Sequence, residues 1–158
     1  MSDGDGNHVV PTGTLMSGKR GLIMGVANNR SIAYGIAKAV TAQGADIALT
    51  YQGDALKKRV EPIAKALGCT VVLPCDVTDG KSMDAVFEHL KSEWGRLDFL
   101  VHAIAYSDKN ELDGRYVDTS EENFTQTMLV SCYSFTALAK RAEDLMTDGG
   151  SLLTLTYY

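Results

Sequence analysis

The sequence predicts an α/β fold: an open, doubly wound (Rossmann-like) parallel sheet in three layers, α/β/α. Two observations carry that prediction. From residue 19 onward, short apolar runs alternate with longer segments whose apolar residues recur at helical spacing. The short runs are also continuously apolar, as strands covered by helices on both faces must be.

The elements follow in order. "GLIMGV" is the first strand, ended by Gly25. "SIAYGIAKAVTAQG" opens at a candidate cap, Ser31, places Ile32, Ile36, Ala39 and Val40 on one helical face, and stops at Gly44. "ADIALTY" is the second strand. The helix "DALKKRVEPIAKALG" has Asp54 as its expected cap and Leu56, Val60, Ile63 and Leu67 on one face. Pro62 inside it predicts a kink or a break, because proline lacks the N–H that a helix interior needs.

"TVVLPCDV" is strand three. "DGKSMDAVFEHLKSEWG" groups Met83, Val86, Phe87, Leu90 and Trp94 and closes at Gly95. "LDFLVHAIA" is strand four. The polar loop "YSDKNELDGRYVD" then leads to Thr119 and Glu122, spaced as a capping box. The helix it opens is expected to bury Phe124, Met128, Cys132, Phe135, Leu138, Ala142 and Leu145. "SLLTLTYY" is strand five, an apolar edge where the sheet reads as truncated. Residues 1–17, rich in Gly, Ser, Asp and Thr, read as a flexible tail, and 18–158 as the N-terminal part of a single dinucleotide-binding domain.

Composition narrows the function. With 158 residues, 45% apolar and 22% charged, the chain can bury a sizeable core. A net charge of -5 and the absence of a basic block speak against a nucleic-acid partner or an anionic membrane surface. No run approaches the ~20 apolar residues that span a bilayer, and the first residues do not read as a secretory signal. Cys69, Cys75 and Cys132 form no CxxC pair, which fits a reducing compartment, and a cytoplasmic location is expected. His8 and His89 stand at no metal-ligand spacing, and no G-x-S-x-G elbow is present. His102, at the end of strand four, reads as a packed or backbone-bonded histidine.

In doubly wound sheets ligands sit outside the carboxyl ends of the strands, where strand order reverses. The loop there is "GVANNRSIAYG". Gly25 and Gly35 bracket it, Ala27 and Ala33 keep it small, and the helix start at Ser31 and Ile32 offers N–H groups to phosphate. A plain strand-to-helix turn would also use one such glycine, so the neighbours matter. Strand two ends "TYQG", where an adenosine-ribose contact is expected roughly 20 residues on. Gln52 is neutral and Asp54 follows it, which favours NADH over NADPH, with Lys57 and Lys58 as the nearest cations. Strand three ends "CDV", where Asp76 can accept from an adenine amino group and Val77 can cover the ring.

"GKRGLIMGVANNRSIAYGIA", "LTYQG", "CDV", "VHAIAYSDKNELDGRYVD" and "LLTLTYY" together resemble the enoyl-acyl-carrier-protein reductases, a divergent branch of the short-chain dehydrogenase/reductase superfamily. The resemblance runs from Lys19 to Tyr158. It implies NADH-dependent reduction of the trans-2,3 double bond of enoyl thioesters carried on acyl carrier protein, a step of bacterial fatty-acid elongation, by a homotetramer. It implies that Gly25, Ser31 and Ile32 hold the pyrophosphate and nearby ribose, with Gln52 at the adenosine ribose and Asp76 and Val77 at the adenine. Ile104 would lie near the nicotinamide, and Ser107 on the substrate side. Ala105 stands where many relatives carry Gly.

In that family hydride passes from the nicotinamide to the β-carbon, a tyrosine hydroxyl supports the enolate oxygen, and a lysine binds the cofactor ribose. Tyr157 matches an earlier tyrosine that faces the acyl chain, and it is the catalytic-side candidate in this sequence. The spaced Tyr/Lys pair is expected past residue 158, so the 158 residues alone are expected to be inactive. A carbonyl-reducing member of the superfamily and a non-catalytic NAD-binding module are the alternatives.

Overall fold

A computed structural model describes residues 10–156. Five strands form one parallel sheet in the order β3-β2-β1-β4-β5, with β1 at Arg20–Met24, β2 at Asp46–Tyr51, β3 at Val71–Pro74, β4 at Phe99–His102 and β5 at Ser151–Thr154. The central register sets Leu22 against Ala48 on one side and Leu100 on the other. The chain moves outward from β1 through β2 to β3, then returns across β1 to β4. The order therefore reverses between β1 and β4, and that is where a crevice must open.

Strand side chains alternate between two cores. Leu22, Met24 and Leu100 point into a layer with α3 (Gly80–Trp94) and α5 (Ser134–Glu143), including Met83, Phe87, Leu90, Leu138 and Ala142. Ile23, Leu49, Phe99 and Val101 point into the other, closed by α1 (Ile32–Ala42) and α2 (Gly53–Ala66) through Ala33, Ala37, Val60 and Ala64. The doubly wound sandwich expected from the sequence is the observed architecture.

Several local expectations are corrected. The stripe of α1 that packs on the sheet is Ala33 and Ala37, with Ile36 and Val40 half-buried, while Ile32 is 67% exposed. Small residues face inward there because the helix lies close against β1. Helix α2 runs through Pro62 without a break. Pro62 is on the exposed face, so the lost hydrogen bond falls on the carbonyl of Lys58, also exposed, while Val60 and Ala64 hold the other face down. Its cap position is Gln52 rather than Asp54, which sits in the first turn and complements the helix dipole.

The fourth long helix is three pieces: α4 (Glu121–Met128), a π-helical turn (Leu129–Tyr133) and α5. Its cap is Ser120, whose hydroxyl accepts from the Asn123 N–H, and not Thr119. Glu111, reaching in from the preceding loop, accepts from both the Ser120 N–H (2.9 Å) and its hydroxyl (2.8 Å). That does the work expected of Glu122. The π turn shifts the phase of the stripe, so the buried residues are Asn123, Val130, Ser134, Leu138, Ala142 and Leu145, and Phe124, Met128 and Cys132 are exposed.

From Pro11 to Ser17 the chain is tied to the end of α1. The Gly13 N–H donates to the Ala42 carbonyl, the Met16 N–H donates to that of Gln43, and the Gln43 side chain donates to the Pro11 carbonyl. Residues 1–9 of the 1–17 segment read as a tail lie outside the described residues. At the far edge, β5 pairs, among the described residues, only with β4, and it carries half-exposed Leu152 and Leu153. Among the described residues no helix is long and apolar enough to cross a membrane.

Candidate functional site

A cleft of about 510 Å3 opens over the carboxyl ends of β1 to β4. Gly25 lies at its middle, Gln52, Asp76 and Val77 at the β2–β3 end, and Ala103, Ile104 and Tyr106 at the β4 end. The strand order places them there, since each follows its own strand in a parallel sheet.

Gly25 has φ +97°, and a Cβ there would run into the carbonyl of Ala103. Glycine is therefore required twice over, by its backbone conformation and by the close approach of the β4 end. Gly35 has open space around it and no positive φ, so nothing in the described chain demands a glycine there. Ser31 caps α1, accepting from the Tyr34 N–H. Its own proton goes to the Asn28 carbonyl (2.8 Å), so the hydroxyl expected as a free donor is already engaged. What the helix start offers an anion is the pair of N–H groups at Ile32 and Ala33, for which helix geometry provides no acceptor.

Gln52 and Asp76 form one unit across the strand ends. The Gln52 amide donates to Asp76 Oδ2 (2.9 Å), while the N–H and hydroxyl of Thr78 donate to Oδ1 (2.8 and 2.7 Å). The Thr78 hydroxyl first, with the Thr78 N–H and Gln52 also contributing, holds the Asp76 carboxyl below its ordinary range against the opposing effect of burial. Asp76 is thus an ionised acceptor with capacity left at its rim. Val77 is buried in the core beneath the cleft rather than standing free above it. No cationic side chain lines the cleft among the described residues. Lys57 pairs with Glu61 along α2 at 3.9 Å, away from it.

His102 is fully buried, packed against Phe135 and hydrogen-bonded to two side chains. Its Nε2 lies 2.7 Å from Ser134 Oγ and its Nδ1 3.1 Å from Thr154 Oγ1. Ser134 donates its only proton to the Val130 carbonyl (2.6 Å), and a carbonyl can only accept. Nε2 therefore carries the imidazole hydrogen, and Nδ1 accepts from Thr154. Burial lowers the His102 pKa, so the ring is neutral and serves as a brace rather than an acid. Burial, with the Asp76 charge next, pushes the nearby Cys75 thiol up to about 11, which leaves it inert.

Ser107 does not line this cleft. It borders a second cavity of about 400 Å3 with Glu111, Leu112, Tyr116, Phe124 and Met128. Buried Asn123 holds it there, the two side chains lying within 3.4 Å, and the same Asn123 carbonyl oxygen accepts from the Asp108 N–H (2.9 Å). Tyr157 lies outside the described residues. Sequence reasoning did not single out Thr50, Gln126 and Val130, which complete the cleft wall. Gln126 and Val130 stand four apart on one helical stretch, a spacing that could have suggested a shared face.

The model of the family described as "Enoyl-(Acyl carrier protein) reductase" matches residues 25–158. The chain is 67% identical over 144 residues to the enoyl-[acyl-carrier-protein] reductase [NADH] 1 of Rhizobium meliloti, covering 91% of this chain and 53% of that protein. Its structure superposes with a TM-score of 0.91 on an enoyl-(acyl-carrier-protein) reductase from Anaplasma phagocytophilum in complex with NAD, at 61% identity, covering 95% of this chain and 58% of the other. A Bacillus cereus enoyl-acyl carrier protein reductase with NADP+ and indole naphthyridinone superposes at 0.89 with 42% identity, covering 91% and 57%. The chain spans about half the length of the curated relatives it matches.

Proposed function

The chain belongs to the enoyl-(acyl carrier protein) reductase family, and from that membership we propose that it supplies the nucleotide-binding part of an NADH-dependent reductase of enoyl thioesters on acyl carrier protein. The observation that carries this is the cleft itself. One crevice runs from the Gln52 amide and the Asp76 carboxylate at β2–β3, past an obligatory glycine, to an apolar wall after β4.

The residues present fit a dinucleotide. Gly25 and the Ile32 N–H would face the pyrophosphate, with Ser31 shaping the helix start. Gln52 would meet the adenosine ribose, Asp76 would accept from the adenine amino group, and Val77 would form the floor beneath it. Ile104 would pack against the nicotinamide, while Ser107 and, further along, Tyr157 would stand toward the acyl chain. NADH, when bound, supplies the hydride. The chain's residues orient it and exclude water from one side of the ring.

NADH is favoured over NADPH because a 2′-phosphate would sit beside ionised Asp76 with no cation in the wall. The exposed Phe124, Met128 and Tyr133 on α4 and the π turn support a subunit interface, and with it the homotetramer. The cysteine pattern supports a cytoplasmic setting.

Calorimetric titration tests the cofactor. The reading expects NADH to bind at least tenfold tighter than NADPH. Equal affinities, or none, would overturn it. A protein that includes the Tyr/Lys segment should oxidise NADH with a crotonyl thioester. Turnover of a simple ketone instead would favour a carbonyl-reducing relative, and binding without any turnover would favour a non-catalytic module.

A further inference from the structure

The wall at the β4 end of the cleft packs on the core through Ile104, but among the described residues its hydrogen bonds fall only at its two ends. Among the described residues, Ile104 and Ala105 make no hydrogen bond. The wall is held at two anchors. On the strand side, the Ala103 N–H donates to the Met24 carbonyl (3.1 Å). On the other, a single hydroxyl holds both polar groups of one residue: Ser131 Oγ accepts from the Tyr106 N–H (3.0 Å) and donates to the Tyr106 carbonyl (3.2 Å).

The π turn makes this possible. Ser131 lies within it and Ser134 directly after it. Ser134 bonds His102 at the start of the segment, and Ser131 bonds Tyr106 at its end. A rare helical turn thus presents two hydroxyls, three residues apart, to the two ends of one short wall.

We propose that Ser131 is a positioning residue for the nicotinamide half of the cofactor, acting through the Tyr106 backbone to fix the Ile104–Ala105 wall. This rests on the cofactor reading above. It extends that reading to a residue that does not line the cleft. The adenosine end, at Gln52 and Asp76, is braced separately by Thr78 and does not involve the π turn. The two halves of the ligand should therefore respond differently.

The test compares NADH with ADP-ribose, which lacks the nicotinamide, on the wild-type chain, Ser131→Ala and Ser131→Thr. Losing two neutral hydrogen bonds that order the wall should weaken NADH about tenfold. The ADP-ribose Kd should stay within about twofold, which also reports that the variant is folded, and Ser131→Thr, which keeps the hydroxyl, should restore NADH binding. A parallel loss of both ligands would mean a general structural role and overturn the proposal, as would an unchanged NADH affinity. Failure of the wild-type chain to bind either ligand would overturn the cofactor reading itself, and the proposal with it.

Discussion

Replacing Ser134 with alanine should be among the most damaging single changes outside the apolar core. Ser134 and His102 are both fully buried, and among the described residues Ser134 Oγ is the sole partner of the His102 Nε2–H while also donating to the Val130 carbonyl. The substitution orphans a buried N–H, at about 1–3 kcal/mol, and removes a second bond worth about 1 kcal/mol. The sum is about 2–4 kcal/mol, a large share of a typical domain's stability. In urea, with a slope of about 2 kcal/mol/M, the unfolding midpoint should fall by about 1–2 M at unchanged slope. The partner variant His102→Leu with Ser134→Ala removes both ends of the bond, so it should recover much of the loss. A Ser134→Ala midpoint within about 0.25 M of wild type, or about 0.5 kcal/mol, would refute the hydrogen-bond assignment.

His102 also gives a pH signature. Its folded pKa is lowered by burial, so the unfolded chain binds the extra proton first as pH falls. Its contribution is complete above the unfolded value of about 6.5 and declines below it. Asp98 acts further down the scale: burial raises its pKa, but the hydrogen bonds from the Lys19 side chain and the Arg20 N–H prevail and lower it. Urea midpoints measured from pH 7.5 to 5 should therefore decline before the carboxylates titrate, and a flat profile would contradict a buried neutral His102. Gly25, in the loop after β1, and Gly35, in α1, should respond in opposite ways. Gly25→Ala meets a positive φ and the Ala103 carbonyl, and should cost about 3 kcal/mol or more and abolish NADH binding. Gly35→Ala, in open space inside a helix, should stabilise by about 0.5–1 kcal/mol in the same urea assay.

The sheet was legible because continuously apolar strands and their alternation with helices leave few topologies open. The placement of Gly25, Gln52 and Asp76 at the cleft was legible as well, since each follows a strand whose end the sheet order brings to the crevice. The phase of the fourth helix was not, because a π turn leaves the 3.6-residue pattern and is stabilised by contacts distant in sequence, Ser134 to His102 and Ser131 to Tyr106. The cap at Ser120 escaped for a related reason. Its partner Glu111 arrives from nine residues upstream instead of the next turn. Ser31 fits the cap pattern, but only the structure shows its proton already spoken for by Asn28.

The central claim is that one nucleotide lies across the β1 end with adenosine toward β3 and nicotinamide toward β4. A crystal structure of the chain with NADH tests it most directly. The account predicts the adenine amino group within hydrogen-bond distance of Asp76 and the nicotinamide against Ile104. A nucleotide lying in the reverse orientation, or seated outside the Gly25 cleft, would contradict it.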